Sequence, residues 1–124
     1  MRARAVAIGL AVGIAIGIVA VASGEARPVT VSRLFVSAKE WSLIASRQAM
    51  KPGAARIQLY NAGEDAHDLR LRRIGGKRTL ALGGTAPGDV TEIRAVLRSG
   101  TWRLWCSLPG HAKAGMRATL TVRR

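Results

Sequence analysis

From Pro28 onward the chain alternates apolar and polar residues in one short stretch after another, and clusters of Gly, Pro, Asn and Asp separate the stretches. In Arg56–Tyr60, Ile57 and Leu59 fall on one face and Arg56 and Gln58 on the other. His67–Arg72 repeats the pattern with His67, Leu69 and Leu71, and Thr101–Cys106 repeats it with Trp102, Leu104 and Cys106. Arg117–Val122 sets Ala118, Leu120 and Val122 together, and extrapolating back adds Met116. Side chains of a strand alternate between faces, so each stretch reads as a half-buried strand. Pro28–Ser37 and Glu40–Ala45 give two further strand-like runs. Met50–Gly53 reads as a turn and Asn61–Asp65 as a polar loop. Gly75-Gly76 and Gly83-Gly84 bracket Lys77–Leu82, a short strand or loop. Asp89–Leu97 places Val90, Ile93, Ala95 and Leu97 as its apolar members, with one slip near Glu92 of the kind a β-bulge produces. No stretch after residue 28 carries a helical period. Short strands at regular spacing with many Gly/Pro turns predict an all-β sandwich.

Residues 1–28 follow a different pattern. Arg2 and Arg4 precede Ala5–Ala22, an uncharged run of 18 residues. As a helix it would span about 27 Å, close to the roughly 30 Å of a bilayer core. It is long for the apolar region of a cleaved signal, yet Ala20-Val21-Ala22 and Gly24-Glu25-Ala26 are both small-residue cleavage sites. The segment is therefore either a signal peptide or an N-terminal membrane anchor. Gly9, Gly13 and Gly17 have the spacing of helix contacts in membranes, although glycine is common in such segments anyway. In both cases residues 29–124 are expected to form one exported domain.

Charge narrows the partners. The formal net charge is +13; without Arg2 and Arg4, 18 basic residues face 7 acidic ones. Arg70, Arg72, Arg73, Lys77 and Arg78 cluster in sequence. Such a surface is either simply solvated or suited to an acidic redox protein or to anionic lipid headgroups. Export argues against nucleic acid. The sequence holds no paired catalytic carboxylates and no phosphate-binding glycine loop, so neither an enzyme nor a small-molecule substrate is implied.

The candidate chemistry lies in Cys106-Ser-Leu-Pro-Gly-His111-Ala-Lys-Ala-Gly-Met116. It holds the only cysteine, one of two histidines and one of three methionines. Five extended residues span at most roughly 17 Å, so Cys106 and His111 converge only if the chain turns, and Pro109-Gly110 supplies the turn. His67 is the only other histidine, 39 residues before Cys106. The strand phases send His67, Cys106 and Met116 to the same edge of the core. Thiolate, two imidazoles and a weak thioether suit copper, as in blue-copper electron transfer. Two other readings stand beside this one: a buried core cysteine, and a nucleophilic Cys–His pair, which would need a cleft that so short a chain has little material to build. A free thiol in an oxidising compartment invites oxidation, and a metal protects it.

Together these motifs resemble the cupredoxins, small blue-copper proteins such as plastocyanin, azurin and sulfocyanin. The resemblance covers about Val29 to Arg123. It rests on Asn61-Ala-Gly-Glu-Asp-Ala-His67-Asp, Ala86-Pro-Gly88, Gly100-Thr-Trp-Arg-Leu-Trp-Cys106 and the Cys106–Met116 segment. It implies a Greek-key β-sandwich of about seven to eight strands behind an N-terminal hydrophobic helix. It further implies one copper ion held by His67, Cys106, His111 and Met116, with Asn61 in the loop before the first ligand. It implies single-electron transfer to a cytochrome or oxidase, with the edge of His111, among Leu108, Pro109 and Ala112, as the port. Asp68 stands where Asn is frequent, and an ionised Asp can only accept hydrogen bonds. Four residues separate Cys106 from His111 and four separate His111 from Met116, a spacing that leaves the subfamily open. A copper carrier or resistance protein, or an oxidase-assembly factor, is the alternative; such carriers show Met- or His-rich tracts, which this chain lacks.

Overall fold

A computed structural model describes residues 17–124. The order is β1 (Ser32–Lys39), β2 (Ser42–Ala45), β3 (Ala49–Met50), β4 (Gly53–Asn61), β5 (His67–Arg73), β6 (Thr79–Thr85), β7 (Val90–Leu97), β8 (Gly100–Trp105), α1 (His111–Ala114) and β9 (Arg117–Val122). One sheet runs β2-β1-β4-β7 and the other β3-β9-β8-β5-β6. Most neighbours are antiparallel, but β1 pairs parallel with β4, and β3 with β9. The all-β sandwich expected from the sequence is the fold, with nine strands among the described residues rather than seven or eight. The N-terminal helix read from the sequence falls mostly on residues 1–16, outside the described residues. Residues 17–31 carry neither helix nor strand. Among the described residues no helix is long and apolar enough to cross a membrane.

The inward positions of both sheets fill the core. Leu34, Val36, Ile57, Leu59 and Leu97 come from the first sheet, and Leu69, Leu71, Leu82, Leu104 and Leu120 from the second, all essentially inaccessible to solvent. Burying each such side chain contributes about 1.5–3 kcal/mol. On the outer face of the first sheet Phe35 stacks on Tyr60, with centroids 6.1 Å apart.

Three details differ from the sequence reading. Gly83 and Gly84 lie inside β6 and do not end it. The β4–β7 register runs unbroken from Gly53↔Leu97 to Tyr60↔Val90, so there is no bulge near Glu92: Val90 simply points outward and Thr91 takes the inner position. The second sheet has its irregularity elsewhere, between His67 and Leu69, where β5 pairs with β6. Last, the chain after residue 28 contains one helical turn, α1, inside the Cys106–Met116 segment.

The two ends of the sandwich are unlike. The ends of β1 and β4, the start of β5 and the end of β8 share one pole with the Cys106–Met116 loop. The start of β1 and β4, the end of β5 and the end of β7 share the opposite pole.

Candidate metal centre

The site is built on the second sheet. His67 opens β5, and the loop before it is clamped by Asn61, which is completely buried. The Asn61 amide donates to the carbonyls of Asp65 and Thr85, both at 2.7 Å, and its oxygen accepts the Gly63 N–H at 2.8 Å. The register shift after His67 breaks the period of two, so His67, Asp68 and Leu69 are all buried in succession. A bulge re-aims side chains in this way, and alternation alone does not reveal it.

Asp68 uses its inward position to hold the cysteine's neighbour. Its Oδ1 accepts the Ser107 N–H at 2.6 Å, and Oδ2 accepts the Ser107 hydroxyl and, at 3.2 Å, the Arg70 Nε–H. The acceptor-only chemistry of a carboxylate suits this place, because Ser107 and Arg70 both supply donors. Burial opposes ionisation of Asp68, but the Ser107 hydroxyl and N–H, the Cys106 thiol and the Arg70 charge outweigh it, and its pKa lies below the ordinary value.

Cys106 follows β8 directly and is fully buried. Its N–H donates to the Met116 carbonyl at 3.1 Å, and the Met116 N–H donates to the His111 carbonyl at 3.1 Å. These two bonds close the segment into a ring. Within it the His111 N–H reaches the Leu108 carbonyl at 3.1 Å, and His111 opens the single turn α1. Gly115 ends that turn at φ 134°, where a Cβ would lie 2.6 Å from the Trp41 carbonyl oxygen; only glycine fits.

The donors converge. His111 Nδ1 lies 3.3 Å from His67 Nδ1 and 3.5 Å from Cys106 Sγ, and the three ligand atoms all lie within 4.8 Å of one another. A first-row ion holding nitrogen and sulfur at about 2.0–2.3 Å would space in-plane donors by roughly 3.5–3.8 Å, so the cluster fits one ion. Met116 is buried and joined through its backbone to both Cys106 and His111. Burial, above all, pushes the Cys106 thiol up from its ordinary value, so a thiolate here calls for a cation beside it.

Two residues that the sequence reading passed over complete the site. Glu40, in the turn between β1 and β2, accepts from His67 Nε2 at 2.7 Å. A carboxylate cannot donate, so the proton sits on Nε2 and the Nδ1 lone pair faces Cys106 and His111. The Glu64 and Asp65 N–H groups also bind the Glu40 carboxylate. The Asp65 N–H leads the causes that lower its pKa to about 2, and it stays ionised at neutral pH. Gly63 leaves room for it, since a Cβ there would fall on the carboxylate. The indole of Trp41 packs edge-on to the His111 ring, with centroids 4.9 Å apart. One signal in the sequence pointed to Glu40: it is the only acid between Glu25 and Glu64 in a strongly basic chain. Trp105 faces away from the cluster, with the Arg72 guanidinium 5.8 Å over its ring.

No family model matches the chain and no curated protein matches it. Solved structures do. Auracyanin A, a "blue" copper protein of the green thermophilic photosynthetic bacterium Chloroflexus aurantiacus, superposes with a TM-score of 0.62 at 14% identity, over 76% of this chain and 100% of its own. Auracyanin B gives 0.60 at 18% identity, over 81% of this chain and 93% of its own. A reduced amicyanin variant gives 0.53 at 15% identity, over 74% and 83%. The chain therefore has the cupredoxin fold.

Proposed function

We propose that this protein is an exported carrier of single electrons, a type 1 blue-copper protein in which His67, Cys106 and His111 hold one copper ion and Met116 is the weak fourth donor. The convergence of the His67, Cys106 and His111 ligand atoms within 4.8 Å carries this reading. Bound copper supplies a one-electron couple between Cu(II) and Cu(I). The residues around it supply a fixed frame. Glu40 sets the tautomer and ring orientation of His67. Asp68 and the Cys106–Met116 backbone bonds hold the thiolate, and Leu108 and the buried Met116 keep water out. A frame that need not move between oxidation states keeps reorganisation small. His111, half-buried beside Trp41, offers the exit for the electron toward a redox protein such as a cytochrome or oxidase. No small molecule has to be bound or turned over, so the role is that of a carrier and not of an enzyme.

Visible absorption and EPR after addition of Cu(II), with Cys106→Ala alongside, test the proposal. An intense thiolate-to-copper band with narrow hyperfine splitting, absent in the variant, is expected. A colourless protein, or copper binding indifferent to Cys106, would return Cys106 to the role of a core residue. Voltammetry with a competing chelator separates the rival role of copper delivery. A carrier of electrons gives a reversible one-electron wave and retains its ion, whereas a copper donor surrenders it.

A further inference from the structure

The pole remote from the metal cluster carries a groove of about 1090 Å³ between the two sheets. Arg33 follows Ser32 at the start of β1, Arg56 lies on β4, and Arg73, Lys77 and Arg78 come from the end of β5 and the turn after it. Arg94 and Arg98 from β7 and its exit complete seven cations, and no Asp or Glu lines the groove. Its floor is apolar, with Ala54, Leu80, Ala95 and Trp102. Glu40, Glu64, Asp65, Asp68 and Asp89 lie at the metal pole, whereas Glu92 pairs with the groove's Arg56 at 3.1 Å and Glu25 stands in the segment that leads to the groove. Seven cations, one of them paired, make this pole strongly basic.

The path of the chain says what meets the basic pole. β1 starts there, and Val29 and Val31, which lead into it, line the groove. The apolar run of the sequence ends at Ala22. Residues 17–31, which carry neither helix nor strand, can reach at most roughly 50 Å, so the basic pole is tethered to whatever holds the run before them. A cationic rim over an apolar floor matches a headgroup layer, where guanidinium groups meet phosphates and stems and small apolar residues meet the boundary below.

We propose that this groove is a docking surface for anionic phospholipid, which seats the domain on the bilayer with the His67–Cys106–His111 cluster facing outward. The proposal rests on the N-terminal apolar run being held in a membrane and is independent of copper. In the test, full-length protein is placed in nanodiscs of phosphatidylcholine, or of phosphatidylcholine mixed equally with phosphatidylglycerol, and backbone amide exchange is followed. Peptides covering residues 73–80 and 94–99 are expected to exchange several-fold more slowly in the anionic discs only. The slowing should vanish at high salt, while residues 107–115 remain unchanged. Charge reversal at two exposed positions, Arg78→Glu with Arg98→Glu, should abolish it. Equal exchange in the two lipids would overturn the proposal. So would slowing centred on 107–115, or slowing at the groove by soluble polyglutamate but not by anionic discs; the last would make the partner an acidic protein. Failure of the chain to enter either disc would overturn the membrane premise, and the proposal with it, separately from the lipid comparison.

Discussion

Glu40 is a carboxylate spent on orienting one imidazole. A charged acceptor on Nε2 makes Nδ1 a stronger donor and places negative charge beside the site, and both effects favour the higher oxidation state of a bound ion. Glu40→Gln is therefore expected to raise the reduction potential by tens of millivolts, where about 59 mV is a tenfold change in the one-electron equilibrium. Glu40→Ala should weaken metal binding about 10–100-fold. Voltammetry and chelator competition read the two effects. Asp68 acts on the other side. Asp68→Ala strands the Ser107 N–H and should cost the metal-free protein about 3 kcal/mol by urea unfolding. Both carboxylates have lowered pKa values, so the stability they give is present above their unfolded values and is lost as pH falls through the folded ones. For Glu40 that window runs from 4.5 down to about 2. Melting of the metal-free protein against pH should show the loss there, with a shallower slope in Glu40→Gln.

Strands and turns show what a one-dimensional pattern can and cannot reveal. β4, β5, β8 and β9 were readable because Ile57, Leu71, Leu104 and Leu120 each sit in a clean alternation against one core. The same phases predicted that His67, Cys106 and Met116 share an edge. Glu40 was not readable in this way. It lies 27 residues from His67, and they meet only because the β1–β2 turn of one sheet overhangs the start of β5 in the other. The pattern ends β6 at Leu82, because Gly83 and Gly84 look like a turn. They are in fact strand residues with ordinary φ, and nothing lies within 4 Å of where a Cβ would sit. Glycine weakens a strand interior, so Gly84→Thr should be neutral or stabilising by about 0.5–1 kcal/mol. Gly115→Ala, in the left-handed region and against the Trp41 carbonyl, should instead destabilise by about 2 kcal/mol or more. Thermal melts should show a lowered Tm for Gly115→Ala and no loss for Gly84→Thr.

For the molecule as a whole, the ligand cluster hangs from the second sheet while Glu40 reaches it from the first, so occupancy of the site bears on the whole sandwich. A ligand that binds only the folded state at a hundred times its Kd adds about 2.7 kcal/mol. In a domain of this size that corresponds to a rise in Tm of roughly 10–20 °C. Calorimetry with and without copper should show such a rise, and Cys106→Ala should show little of it. Net charge is a poor guide to docking here. The metal pole carries Glu64, Asp65 and Asp89 beside Lys39, Lys113 and Arg117, while seven cations line the groove at the other end.

The two backbone bonds that shut the Cys106–Met116 ring separate length from architecture. Because Cys106 and Met116 are tied at the neck, residues can be added or removed between them without shifting the β8–β9 register, which begins at Trp105↔Arg117. The loop's length is thereby uncoupled from the pairing of the strands that flank it. Insertions or deletions within residues 107–110 are then expected to leave the core as it is.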